Sequence, residues 1–147
     1  MSQPPLLLLI GNDVPTVLNL RMGLLRALQA NGYGVAVAAP PASESDQIEA
    51  AGIAFHPMRM SPTGTKPLSD AALLMRYVRL LRDERPAAVL GFTVKPNVYG
   101  SLAARLCGVP VINNITGLGT AFISKGVLES LVTALYRLAL RKSEAIF

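Results

Sequence analysis

Two runs of polar and glycine residues, each following an apolar run, hold the side chains that could bind and orient a substrate. Val89-Leu90-Gly91 leads into Thr93, Lys95 and Asn97, with Pro96 where a helix would begin. Val109-Pro110-Val111-Ile112 leads into Asn113, Asn114, Thr116, Gly117, Gly119 and Thr120. Lys95 is the odd residue. A cation at the positive end of a helix dipole is unfavourable by roughly 0.3–1 kcal/mol. An anion held by Lys95 and the free N–H groups of the helix start would compensate; the alternative is a lysine pointing into solvent. Thr93 and Asn97 flank the same spot with neutral hydrogen-bonding groups. Gly117 and Gly119 either let the backbone approach a ligand closely or supply the positive φ of a tight turn. The pattern matches neither the P-loop nor the dinucleotide fingerprint.

A third loop, Gly11-Asn12-Asp13, follows the apolar run Leu6 to Ile10. Asp13 is the one carboxylate so placed. It could orient or deprotonate a hydroxyl, or simply cap the next helix. His56, the only histidine, precedes Pro57 and is more readily structural than catalytic. No metal-ligand spacing exists and no Ser/His/Asp set can be assembled. Cys107, the single cysteine, cannot form an internal disulfide, which fits packing in a reducing compartment.

The elements that would carry these residues alternate strand and helix. Strands are predicted at about 6–10, 35–38, 53–56, 87–91 and 109–113. Helices are predicted at about 16–30, 44–51, 70–84, 96–107 and 127–142. In the first helix Leu20, Leu24, Leu25 and Leu28 recur at helical spacing. Ser69 is a suitable N-cap for the helix from Asp70. The order predicts an α/β fold, a Rossmann-like doubly wound parallel sheet with right-handed crossovers. In such a sheet the ligand lies beyond the carboxyl ends of the strands, where all three loops fall. Ala145-Ile146-Phe147 reads as the opening of a sixth strand, and so as one half of a larger protein.

Over 147 residues, 51% are hydrophobic and 16% charged, which predicts one globular domain with a real core. The net charge of +5 suits an ordinary basic domain or an anionic partner. Aromatic and basic residues do not interleave, which argues against nucleic acid. The five-residue run Leu6–Ile10 cannot span a bilayer, and Pro4-Pro5 without a basic flank does not read as a signal peptide. Arg76, Arg79, Arg82 and Arg85 recur every three residues beside Leu73, Tyr77 and Leu81. With Arg59 and Lys66 they form either a solvated face or a surface for anionic lipid or a lipid diphosphate.

The segment Thr93-Val-Lys-Pro-Asn-Val-Tyr-Gly-Ser-Leu-Ala-Ala-Arg105, with Val111-Ile-Asn-Asn-Ile-Thr-Gly-Leu-Gly-Thr-Ala-Phe122, resembles the N-terminal domain of bacterial GT-B glycosyltransferases of family 4. The closest branch holds capsule, lipopolysaccharide and N-glycan assembly enzymes, including the PglA-like N-acetylgalactosaminyltransferases. Asn19 to Leu28 fits the family's first helix, and Lys66 to Asp70 its approach to the third, although Lys66 replaces a frequent asparagine. The resemblance implies sugar transfer from a nucleotide sugar, usually UDP-linked, to an acceptor on a polyprenyl diphosphate. Retention at the anomeric carbon is implied, with no metal or other cofactor, on the cytoplasmic membrane face. It implies that Lys95, Asn97, Thr116, Gly117 and Gly119 line the cleft, with Arg59 and Lys66 nearer the acceptor phosphates. The donor domain's acidic motif is not found in the chain, which implies inactivity without a partner supplying that half. Rival readings are half of a UDP-N-acetylglucosamine 2-epimerase, a membrane-docking scaffold subunit and a flavodoxin-like anion-binding module.

Overall fold

The computed structural model describes residues 3–60, 67–114 and 145–146. In chain order the elements are β1 (Leu6–Ile10), α1 (Val14–Thr16), a π-helical turn (Val17–Arg21), α2 (Met22–Ala30), β2 (Gly34–Ala39) and α3 (Ser45–Ala50). There follow β3 (Ala54–Pro57), α4 (Pro67–Glu84), β4 (Ala88–Phe92), α5 (Val94–Cys107), β5 (Val111–Asn114) and β6 (Ala145–Ile146). All strands are parallel, in the order β3-β2-β1-β4-β5-β6. This is the Rossmann-like doubly wound order, reversing direction between β1 and β4.

The strands are apolar on alternate sides because both faces are covered. Leu8 and Ile10 of β1 join Ala36 and Ala38 of β2, Leu73, Tyr77 and Leu81 of α4, and Ala103 and Ala104 of α5. Leu9, Val35, Val37 and Ala39 face the opposite way, against Val14, Val17, Leu25 and Ile48. Three layers result, with α2 and α3 on one face and α4 and α5 on the other. Close approach of α5 to β1 depends on Gly100, where an added Cβ would run into Ile10 Cδ1.

Two expectations change. The buried stripe of the first helical segment is Val14, Val17 and Leu25, whereas Leu20 and Leu24 are 67% and 41% exposed. The reason is that spacing alone fits two overlapping stripes, and Phe92 and Val37 sit opposite the valines. The helix expected from Asp70 starts at Pro67, so Ser69 lies inside it and Pro67 takes the first turn, where its missing N–H is harmless. Leu73, Tyr77 and Leu81 point into the core beside the exposed arginines of the same helix, as the spacing predicts. The helix expected over 127–142 lies outside the described residues; the sixth strand is present as β6.

Tyr77 is 1% exposed and its hydroxyl has no hydrogen-bond partner among the described residues. Burial pushes its pKa far above the ordinary tyrosine value. An unpaired buried hydroxyl carries a desolvation penalty of about 1–3 kcal/mol. Tyr77→Phe is therefore expected to keep the packing and stabilise the fold by about 1 kcal/mol, a few degrees in melting temperature. Thermal denaturation checks this, and a drop in melting temperature would contradict it.

Candidate functional site

The chain leaves β1 for α1 and α2 on one face and leaves β4 for α5 on the other. The space beyond the carboxyl ends of β1 and β4, the crevice in which ligands usually sit in such sheets, is therefore the candidate site. In the β1 loop Asn12 is exposed. Asp13 adopts extended backbone and caps α1, its carboxylate accepting from Thr16 N at 2.6 Å and from Thr16 Oγ1 at 2.9 Å. Of its two sequence readings, capping is the one this geometry displays.

Thr93 joins β4 to α5 at φ 67° and ψ 179°. That region is essentially reserved for glycine, and a β-branched residue there costs on the order of 1–3 kcal/mol. Its Oγ1 is buried without a hydrogen-bond partner among the described residues. Strain of this kind clusters at ligand sites.

Lys95 is the second residue of α5, not its cap, and its compensating anion is the chain's own. Its Nζ lies 2.9 Å from Asp70 Oδ1, and Tyr99 donates to Asp70 Oδ2 at 3.0 Å. The two side chains of the ion pair are only 12% and 5% exposed. Asp70 sits in the first turn of α4, where a carboxylate also suits the helix dipole. Burial, then the hydrogen bond to Asp70, then that carboxylate's charge, push the Tyr99 hydroxyl up to about 12.

Asn97 is fully buried and its amide is held at both ends. Its Nδ2 donates to the Asn114 carbonyl at 2.8 Å, and its Oδ1 accepts from Asn113 Nδ2 at 2.8 Å. Asn113 Nδ2 also donates to Ser101 Oγ at 2.8 Å. This arrangement depends on Gly91, where a Cβ would lie 2.6 Å from Asn97 Oδ1 and 3.2 Å from Asn113 Nδ2. Asn97 thus fastens the start of α5 to the end of β5. Asn114 is half-buried at the mouth of the following loop. Thr116, Gly117, Gly119, Thr120 and Lys66 lie outside the described residues.

Arg59, just past β3, is exposed, as are Arg76, Arg79 and Arg82 along α4. Their apolar companions are Leu68 and Met75, 89% and 61% exposed. His56 is on β3 at the sheet edge, 3.8 Å from Glu84, away from the crevice. A hollow of about 500 Å³ bounded by Pro4, Pro5, Gly34, Glu84 and Arg85 lies at the opposite, amino ends of the strands. Among the described residues no group of three His, Cys, Asp or Glu side chains could hold a metal ion, and no helix is long and apolar enough to cross a membrane.

One contributor escaped the sequence reading. Arg21, at the end of the π-helical turn, places its guanidinium carbon 4.1 Å from the centre of the Phe92 ring, at the end of β4. Such a contact contributes about 0.5–2 kcal/mol, depending on desolvation. The signal was available: Val17, Arg21 and Leu25 are spaced by four, which puts a cation on the buried stripe.

Residues 6–147 match the family described as glycosyl transferase 4-like. The chain belongs to that family. Among curated relatives of this family member are two UDP-N-acetylglucosamine–N-acetylmuramyl-(pentapeptide) pyrophosphoryl-undecaprenol N-acetylglucosamine transferases. That of Pseudomonas putida is 31% identical over 96 residues, and that of Pseudomonas aeruginosa 36% over 96 residues. Each match takes in 59% of this chain and 27% of the relative, so the chain spans about a quarter of their length. Solved structures share the fold. Acinetobacter baumannii MurG aligns at TM-score 0.68 and 18% identity, over 97% of this chain and 41% of that one. A UDP-N-acetylglucosamine 2-epimerase aligns at 0.67 and 17%, over 100% and 40%. The spinosyn rhamnosyltransferase SpnG aligns at 0.66 and 23%, over 97% and 44%.

Two outcomes are expected. Asn97→Ala removes a partner from buried Asn113 and from the Asn114 carbonyl, and should destabilise by about 1–3 kcal/mol. Gly91→Ala should cost about 2 kcal/mol by overpacking. The double variant should lose less than the sum, because removing the amide makes room for the methyl; urea denaturation of the four proteins measures this coupling. For Tyr99, the folded-state pKa is raised, so the folded protein holds that proton more tightly than the unfolded chain. Its contribution is complete below about pH 10 and lost as the pH rises through about 12. Stability measured across that window should fall, and Tyr99→Phe should flatten the slope without abolishing it, since Tyr77 titrates in the same direction.

Proposed function

We propose that this chain is the acceptor-binding half of a retaining glycosyltransferase that moves a sugar from a UDP-linked donor to a glycan on a polyprenyl diphosphate. The observation that carries this reading is the family match over residues 6–147. The β1/β4 switch point supports it, since β1, β4 and β5 are neighbours that all end on that side in a sheet of this order. The names of the curated relatives supply a UDP-sugar donor and a pyrophosphoryl-undecaprenol acceptor. The loops around Lys95 and Gly117 resemble the capsule, lipopolysaccharide and N-glycan branch instead. Both branches share the lipid diphosphate, which is the acceptor chemistry proposed.

The donor site and the catalytic group are assigned to sequence outside these 147 residues, supplied in cis or in trans. Asn12, Thr93, Lys95, Asn114, Thr116, Gly117, Gly119 and Thr120 are the proposed cleft wall, with Asp13 and Asn97 shaping it from behind. No cofactor enters the proposed reaction. The proposed location is the cytoplasmic membrane face, bound peripherally through Arg76 and Arg79. These arginines share exposed α4 with Leu68 and Met75, an apolar and basic combination suited to anionic headgroups. Arg59 and Lys66 are proposed nearer the acceptor diphosphate.

The test is transfer of radiolabelled sugar from UDP-sugars to a polyprenyl-diphosphate acceptor. The chain alone should give no turnover, and activity should appear when a donor half from the same source is joined or added. Turnover by the chain alone would contradict the split. Interconversion of UDP-sugar epimers with no acceptor glycosylated would favour the epimerase reading, with which the fold is also shared.

A further inference from the structure

We infer that Arg21 is an oxyanion-binding residue of the crevice, held by Phe92 so that its guanidinium edge faces a phosphate or diphosphate group. Its source, nucleotide or lipid, rests on the glycosyltransferase reading; the anion site itself rests on the following geometry.

Arg21 occupies the inward stripe between Val17 and Leu25, both buried. Arg21 itself is half-buried, so its charge is partly desolvated and a counter-charge would stabilise it. Among the described residues none is present: no carboxylate lies within 4.0 Å of Arg21. Asp13, in the loop after β1, is committed elsewhere, to Thr16. Arg21 Nε is buried and has no hydrogen-bond partner among the described residues.

The stacking defines what the guanidinium can still do. Its carbon lies 4.1 Å from the centre of the Phe92 ring, which is itself 6% exposed. Stacking engages the flat face and leaves the in-plane N–H groups to donate. Two parallel donors in one plane match two oxygens of a tetrahedral oxyanion. Phe92 is followed directly by Thr93, whose Oγ1 is buried and unpartnered among the described residues, and by the first turn of the 14-residue α5. The first N–H groups of a helix have no partner within it and favour phosphate. Arg21 thus stacks on the last residue of β4, and the unpaired hydroxyl and the helix start follow that residue directly in the chain.

The test uses the full chain and isothermal titration with inorganic pyrophosphate, UDP and farnesyl diphosphate. Wild type is expected to bind pyrophosphate, Arg21→Gln to weaken it by about tenfold or more, and Arg21→Lys to fall between, keeping charge but losing the fork. Arg26→Gln, an exposed arginine on α2, should change affinity by less than about twofold. Melting temperatures are recorded for each; if Arg21→Gln does not fold, Arg21→Lys decides. Whichever of UDP and farnesyl diphosphate loses more affinity in the variants identifies the source. Unchanged pyrophosphate binding in the folded Arg21 variants, or none by wild type, overturns the assignment while leaving sugar transfer by the assembled enzyme unaffected as a reading. Conversely, Arg21-dependent binding with no transfer from any UDP-sugar keeps the anion site and removes the glycosyltransferase reading.

Discussion

The amide of Asn97 ties together the two loops on which the crevice depends. One end is bound to the last carbonyl of β5 and the other to the side chain of Asn113. The first turn of α5 and the mouth of the loop after β5 are thereby held in one geometry. The tie is buried, so each broken bond strands a polar group away from water. It also sets the identity of Gly91, because no side chain fits beneath the amide.

Charge is arranged around this fastening with the same economy. Asp70 answers Lys95 and accepts from Tyr99, so the start of α5 is neutralised from within and drawn onto α4. Asp13 is turned back onto Thr16. The acids that might have served the crevice instead stabilise helix starts. Among the described residues, two basic features stand apart from these acids, the guanidinium over Phe92 and the arginines along the outer face of α4. These two basic features differ in kind: the first is stacked and half-buried, the second is hydrated.

Much of the fold was legible. Alternating apolar runs and helical spacings gave the five strands and the helices between them to within a few residues, and hence a doubly wound parallel sheet. Polar residues follow β1, β4 and β5 at the strand ends where parallel sheets bind ligands, which is what the sequence pattern alone could indicate. The failures share one cause. Lys95 was seen to need an anion, but Asp70 lies 25 residues away, and spacing says nothing about which helix starts meet. Asn97 was read as free to bind a ligand because its partners come from another strand. In the first helix, Leu20 and Leu24 drew attention by their size, while the stripe facing the sheet ran through Val17, Arg21 and Leu25. An arginine on that stripe was the visible anomaly, and only Phe92 explains it.

The strand at the edge of the sheet has a further consequence. β3 spans four residues and ends on Pro57, which pairs in register with Ala39 but brings no N–H. Short, proline-ended edges give an incoming strand little ladder to extend. On this side the sheet is guarded against growth by strand addition, so concentrated protein should resist the edge-to-edge aggregation to which flat parallel sheets are otherwise prone.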